Sequence, residues 1–83
     1  MFIHSPRELA IFIKAQRKKL NLSQQEVGNL VGLKQKTISA IENDCENIKL
    51  STLFRILSAL EIDIKFIAKK DATEITSQWK EEW

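Results

Sequence analysis

A chain of 83 residues makes one domain, with a core thin enough that a partner subunit adds appreciably to its stability. Its single Cys45 excludes an internal disulfide, and with His4 as the sole histidine neither a metal-ligand cluster nor a nucleophile and base pair can be assembled, so no catalytic role, metal or cofactor is expected. The net charge of +2 is unevenly spread: residues 1–43 carry seven Lys or Arg against three acids, and residues 44–83 carry six against eight, so the basic half suits a phosphate-backbone ligand.

No apolar run approaches the roughly 20 residues of a membrane span, and MFIHSPRE lacks the basic-then-apolar order of a signal peptide, so a cytoplasmic protein is expected. His4 reads as a surface residue ahead of a helix, and Cys45 as an ordinary loop or half-buried thiol.

Ser5, Pro6 and Glu8 open the first helix, with Ser as N-cap, Pro at the first helical position and Glu at the third completing a capping box. Leu9, Ile13 and Leu20 mark one face, and Arg17 lies on that same face. A charge there needs a partner. Glu42, four residues after inward Ile38 on a later helix, is the candidate; the alternative is that both side chains reach water. Ile11 and Phe12 point elsewhere and need other cover, while Lys14, Lys18 and Lys19 line solvent or phosphate.

The stretch SQQEVGNLVGLKQKTISAIEN, from Ser23 to Asn43, organises the chain. Ser23 and Glu26 form a second capping box, so a helix starts at Gln24. Val27, Leu30 and Val31 give it one apolar face, and Gly28 among them implies close approach by a crossing helix, since Gly in mid-helix costs roughly 1 kcal/mol against Ala. Gly32 ends the helix as a left-handed C-cap, Leu33 plugs the turn, and Ile38 and Ile41 face the next helix inward. The pattern is that of a helix-turn-helix.

After Asn43 comes an aperiodic loop, DCENIKL, that sets Asn43, Asn47 and Lys49 near a DNA backbone. Ser51 then caps another helix, in which Leu53, Ile56, Leu57 and Leu60 form a core stripe and Phe54 points outward to a partner. From Glu61 the period changes to two: Ile62, Ile64 and Phe66 alternate with Asp63 and Lys65, which reads as one strand. No second strand exists to pair it within the chain, so its ladder goes to another chain or to water. Residues 71–83 read as a flexible, acid-rich tail, with Trp79 and Trp83 spaced to share one face of an induced helix. Residues 1–70 form the folded domain.

Gly28, Gly32, Ile38 and Ile41 sit at the spacings of the lambda and 434 repressor-like (XRE-type) DNA-binding domains, which the chain resembles. That resemblance implies an all-α bundle of four to five helices whose second motif helix enters the major groove. Lys34, Gln35, Lys36, Ser39 and Ala40 would then read bases, with Gln suited to adenine and Lys to guanine. Gln24, Thr37, Asn43 and Lys49 would contact phosphate, and Arg17 and Glu42 would form a partly buried ion pair.

A narrower resemblance runs nearly end to end. SPRELA, GLKQKTIS, IEN, LSTLFRILSALE, the following strand and a short tail ending in Trp are similar to the HipB-type antitoxins, which repress operons encoding HipA-type kinase toxins. It implies a homodimer joined by pairing of the strand that carries Ile62, Ile64 and Phe66, a palindromic double-stranded DNA operator, and a kinase toxin as partner. Lys36 and Ala40 stand at variable positions, so the operator sequence does not carry over. The alternatives are a stand-alone phage-type or restriction-controller repressor, and a toxin-neutralising module with little DNA binding.

Overall fold

Capping residues place the helix starts in the computed structural model of the protein, which describes residues 2–69. The order is α1 (Pro6–Lys19), α2 (Gln24–Val31), α3 (Gln35–Asn43) and α4 (Leu50–Ala59). The expected tail of residues 71–83, Trp79 and Trp83 included, lies outside the described residues. Ser23 Oγ accepts from the Glu26 amide at 3.0 Å while Glu26 Oε1 accepts from the Ser23 amide at 2.8 Å, a complete capping box on α2. On α1, Ser5 Oγ accepts from the Glu8 amide at 3.2 Å, but Glu8 Oε1 takes the amide of His4 at 2.8 Å, one residue outside the expected position.

Three helices end in the same way. Asn21 (φ 58°), Gly32 (φ 75°) and Glu61 (φ 57°) turn left-handed, and the amide of the next residue reaches back to a carbonyl of the last turn. These bonds are Leu22 to Arg17 at 3.1 Å, Leu33 to Gly28 at 2.8 Å and Ile62 to Leu57 at 2.8 Å. Each following residue is apolar and half-buried, so the chain is steered back onto the core as it leaves the helix.

The core comprises Ala10, Ile13, Val27, Val31, Ile38, Ile41, Cys45, Leu53, Ile56, Leu57 and Leu60. It lies where α3 packs on α1 and α2, and where α4 packs on α2. Burial of each large aliphatic side chain contributes about 1.5–3 kcal/mol. Two polar contacts join α4 to the rest: Gln16 Nε2 donates to the Leu60 carbonyl at 3.0 Å, and Arg55 Nη2 donates to the Val31 carbonyl.

Three local expectations are corrected. Leu30 is 63% exposed, because the buried face of α2 centres on Val27, Gly28 and Val31 and leaves Leu30 on its flank. Gly28 is not crowded by a crossing helix: a Cβ there would meet the Leu33 carbonyl oxygen at 2.5 Å and the Gln35 amide nitrogen at 3.5 Å, both in backbone running from the turn into α3. Finally, α4 starts at Leu50 with Lys49 as an N-cap lacking any side-chain bond, so Ser51 lies in the first turn and does not cap it.

Residues 62–68 form neither helix nor ladder; a ladder of the expected kind needs a second strand, and none occurs among the described residues of the single chain. They border an apolar groove of about 520 Å³, whose walls include Phe2, Leu9, Phe12, Phe54, Ile64 and Phe66.

Candidate nucleic-acid interface

One side of α3 is fixed by the core and the other is left to solvent. Ile38, Ile41 and Glu42 are buried, whereas Lys34, Gln35, Lys36, Thr37 and Ala40 are exposed and Ser39 is half-buried. Lys34 stands as the N-cap of α3 without a side-chain capping bond, and neither Lys34 nor Lys36 forms an ion pair among the described residues. The surface therefore offers two cations, an amide, two hydroxyls and a methyl, a set able to meet phosphates, base edges and thymine methyls. Asn43, at the end of α3, and Lys49, before α4, are exposed beyond it. Gln24 is half-buried at the start of α2.

Beneath this surface sits a network of polar side chains. Arg17 Nε donates to Glu42 Oε2 at 2.5 Å and Arg17 Nη2 to Glu42 Oε1 at 3.0 Å, a two-pronged contact in which the Glu42 side chain is 2% exposed. The remaining prong, Arg17 Nη1, donates to the Leu22 carbonyl at 2.8 Å, tying the pair to the end of α1. Glu42 Oε1 also accepts from Gln24 Nε2 at 3.1 Å, and Gln24 Oε1 accepts from Gln35 Nε2. Arg17, Glu42, Gln24 and Gln35 thus form one continuous series from core to surface. Among the described residues no buried side-chain nitrogen or oxygen lacks a partner.

Sequence reasoning brought Arg17 to Glu42 but placed Gln24 only at a phosphate. Its bonds to Glu42 and Gln35 left no signal in the sequence, where a glutamine directly after the N-cap Ser23 is ordinary. Arg55 was also missed, although a cation in α4 opposite the carbonyl end of α2 is a natural partner for an orphan carbonyl. Cys45 is buried and donates through Sγ to the Ile41 carbonyl at 3.3 Å. Burial, and secondly the Asp44 charge, push its thiol pKa up, so it stays neutral and takes no part in the interface. No helix among the described residues is long and apolar enough to cross a membrane, and no cluster of metal-ligating side chains occurs among them.

A capped α2, a left-handed turn at Gly32 and an α3 with one side exposed define a helix-turn-helix DNA-binding domain, and residues 13–67 match the family model described as Helix-turn-helix. The chain is 39% identical over 82 residues to Antitoxin HipB of Escherichia coli strain K12, a match spanning 98% of this chain and 93% of that relative. It belongs to the HipB antitoxin family. Among solved structures, HipB in the HipA-HipB-O2-O3 complex superposes with a TM-score of 0.78 at 37% identity, over 84% of this chain and 99% of that one. The restriction-modification controller protein C.Esp1396I shares the fold alone, with a TM-score of 0.65 at 19% identity over 93% and 94% of the two chains.

Proposed function

We propose that this protein is a homodimeric, cytoplasmic transcriptional repressor that binds a palindromic operator of its own operon and serves as antitoxin to a HipA-type kinase toxin. The observation that carries the DNA reading is the exposed side of α3. Lys34, Gln35, Lys36, Ser39 and Ala40 read base edges there, and Gln24, Thr37, Asn43 and Lys49 hold the backbone. The toxin reading rests on near-full-length likeness to a protein whose solved complex contains HipA. Residues 1–70 act as the DNA-binding and dimerising unit, and residues 71–83 as an appended tail. The groove beside residues 62–67 supports the dimer: it leaves Ile64 41% and Phe66 88% exposed in one chain, where strand pairing with a second copy would cover them. No step of catalysis is assigned.

The test is purification of the protein from cells carrying its native operon, joined to selection of duplexes from a randomised library. A kinase-like protein that co-purifies, together with an enriched palindrome with half-sites about one helical turn apart, is the expected result. An enriched palindrome with no kinase-like partner identifies a stand-alone repressor, and a kinase-like partner with no enriched sequence identifies a neutralising module.

A further inference from the structure

We infer that Arg55, which stands on α4 outside the two motif helices, is a positioning residue for sequence recognition: by holding the last carbonyl of α2 it sets the turn that aims α3. The inference rests on the base-reading role proposed above for α3 and adds what keeps that helix at its angle.

The turn between α2 and α3 has few anchors of its own. Gly32 is left-handed at φ 75°, which keeps the chain tight but supplies no side chain, and Lys34 begins α3 without a side-chain capping bond. The amides of Gly32 and Leu33 both turn back to the Gly28 carbonyl. The carbonyl of Val31, the last residue of α2, is one of the end groups that a helix cannot satisfy from within. Arg55 Nη2 donates to it, the sole side-chain bond to the backbone of residues 28–34 among the described residues. The guanidinium lies over the turn itself, 3.8 Å from where a Cβ on Gly32 would stand. It forms no ion pair among the described residues, so its charge is left to the negative end of the α2 dipole.

The support behind this bond is firm, because α4 buries Leu53, Ile56 and Leu57 in the core. A displacement at Val31 also has a direct route to α3. The backbone of the turn packs on α2 so closely that a Cβ on Gly28 would meet the Leu33 carbonyl oxygen at 2.5 Å, and α3 begins two residues after Leu33, at Gln35. The end of α2 and the turn therefore move as one piece. Without Arg55 the Val31 carbonyl turns toward water, and the exposed side of α3 shifts with it. Hydrogen bonds to base edges depend on direction and fail first, whereas attraction between cations and phosphates persists and carries no sequence information.

The experiment compares, at fixed salt, the affinity of the full chain for the duplex it selects from a randomised library with its affinity for a scrambled duplex of equal length. If wild type selects no duplex, the base-reading role of α3 fails and the inference with it. Arg55→Met keeps an unbranched side chain and removes the donors; it should lower the ratio of the two affinities about tenfold or more, while the affinity for scrambled duplex holds. Arg55 is exposed, so the variant should fold, which thermal melting checks; should it not, Arg55→Ser, too short to reach the turn, takes its place with the same expected loss. Arg55→Lys keeps one charged donor for a contact that needs one, and should stay within about threefold of wild type. Gln16→Met cuts the other polar tie of α4, to the Leu60 carbonyl, and should lower the melting temperature with the ratio unchanged. An unchanged ratio in Arg55→Met overturns the inference and leaves α3 as the reader. An equal loss in Gln16→Met also overturns it, by showing that any loosening of α4 blunts recognition. A salt slope on scrambled duplex that falls by about 0.9 in Arg55→Met would make Arg55 a phosphate contact, which overturns the positioning role as well.

Discussion

Arg17 spends three of its donors inside the protein, two on Glu42 and one on the Leu22 carbonyl. Truncating Glu42 to Ala leaves the guanidinium buried beside an empty site, and truncating Arg17 leaves the carboxylate with a single amide donor from Gln24. Each single change should destabilise by about 3 kcal/mol, because an uncompensated charge stays in the core. The double truncation should cost clearly less than the sum, since neither charge remains. Urea melts of the two single variants and the double variant measure the difference, and strict additivity would show that the pair carries no coupling. This contact was legible because a charge at an inward helical position is an anomaly that only a matching anomaly relieves. Gln24 was not legible in the same way: a glutamine at a helix start is unremarkable in any pattern, and only the three-dimensional meeting of α2 with α3 shows both ends of its amide occupied.

At the scale of elements, the turn between α2 and α3 is set by backbone meeting backbone. A Cβ at residue 28 would lie 2.5 Å from the Leu33 carbonyl oxygen, which no side-chain adjustment relieves. Gly28→Ala gains about 1 kcal/mol in helix propensity and loses about 1–3 kcal/mol to overpacking. The expected net result is a modest drop in melting temperature with a larger loss of sequence-specific DNA binding, because the strain is released by shifting α3 against α2. A variant that melts higher and binds normally would show that the turn has room. Helix starts were readable wherever a side chain caps them, as at Ser5 and Ser23. They were misread at α4, where Lys49 contributes backbone only and the sequence holds no mark of the boundary. The inward side of α2 was misread at Leu30 for a related reason: periodicity locates an apolar face to within about a third of a turn, and a glycine that admits the neighbouring turn rotates that face toward itself.

For the whole molecule, most of the exposed large apolar residues of the described chain, with Ile11 and Leu30 the exceptions, gather at one groove, bordered by the N-terminal residues 2–4, α1, α4 and residues 62–69, with no contribution from α2 or α3 among its lining residues. If that groove receives a second copy, Ile64→Lys places a charge in the dimer contact. Sedimentation should then show a shift toward monomer, and operator binding should lose its cooperativity while weak half-site binding persists. A tight dimer with normal operator affinity in this variant would assign the contact to another surface. The two sides of α3 also carry a consequence for divergence between relatives. Ile38, Ile41 and Glu42 are tied to the core, but Lys36 and Ala40 are exposed, so if they face bases as proposed, substitutions there change the DNA sequence preferred at little expense in stability. Gln35 is the exception, joined through Gln24 to the interior. New binding preferences should therefore arise first through positions 36 and 40, with the base facing Gln35 the last to change.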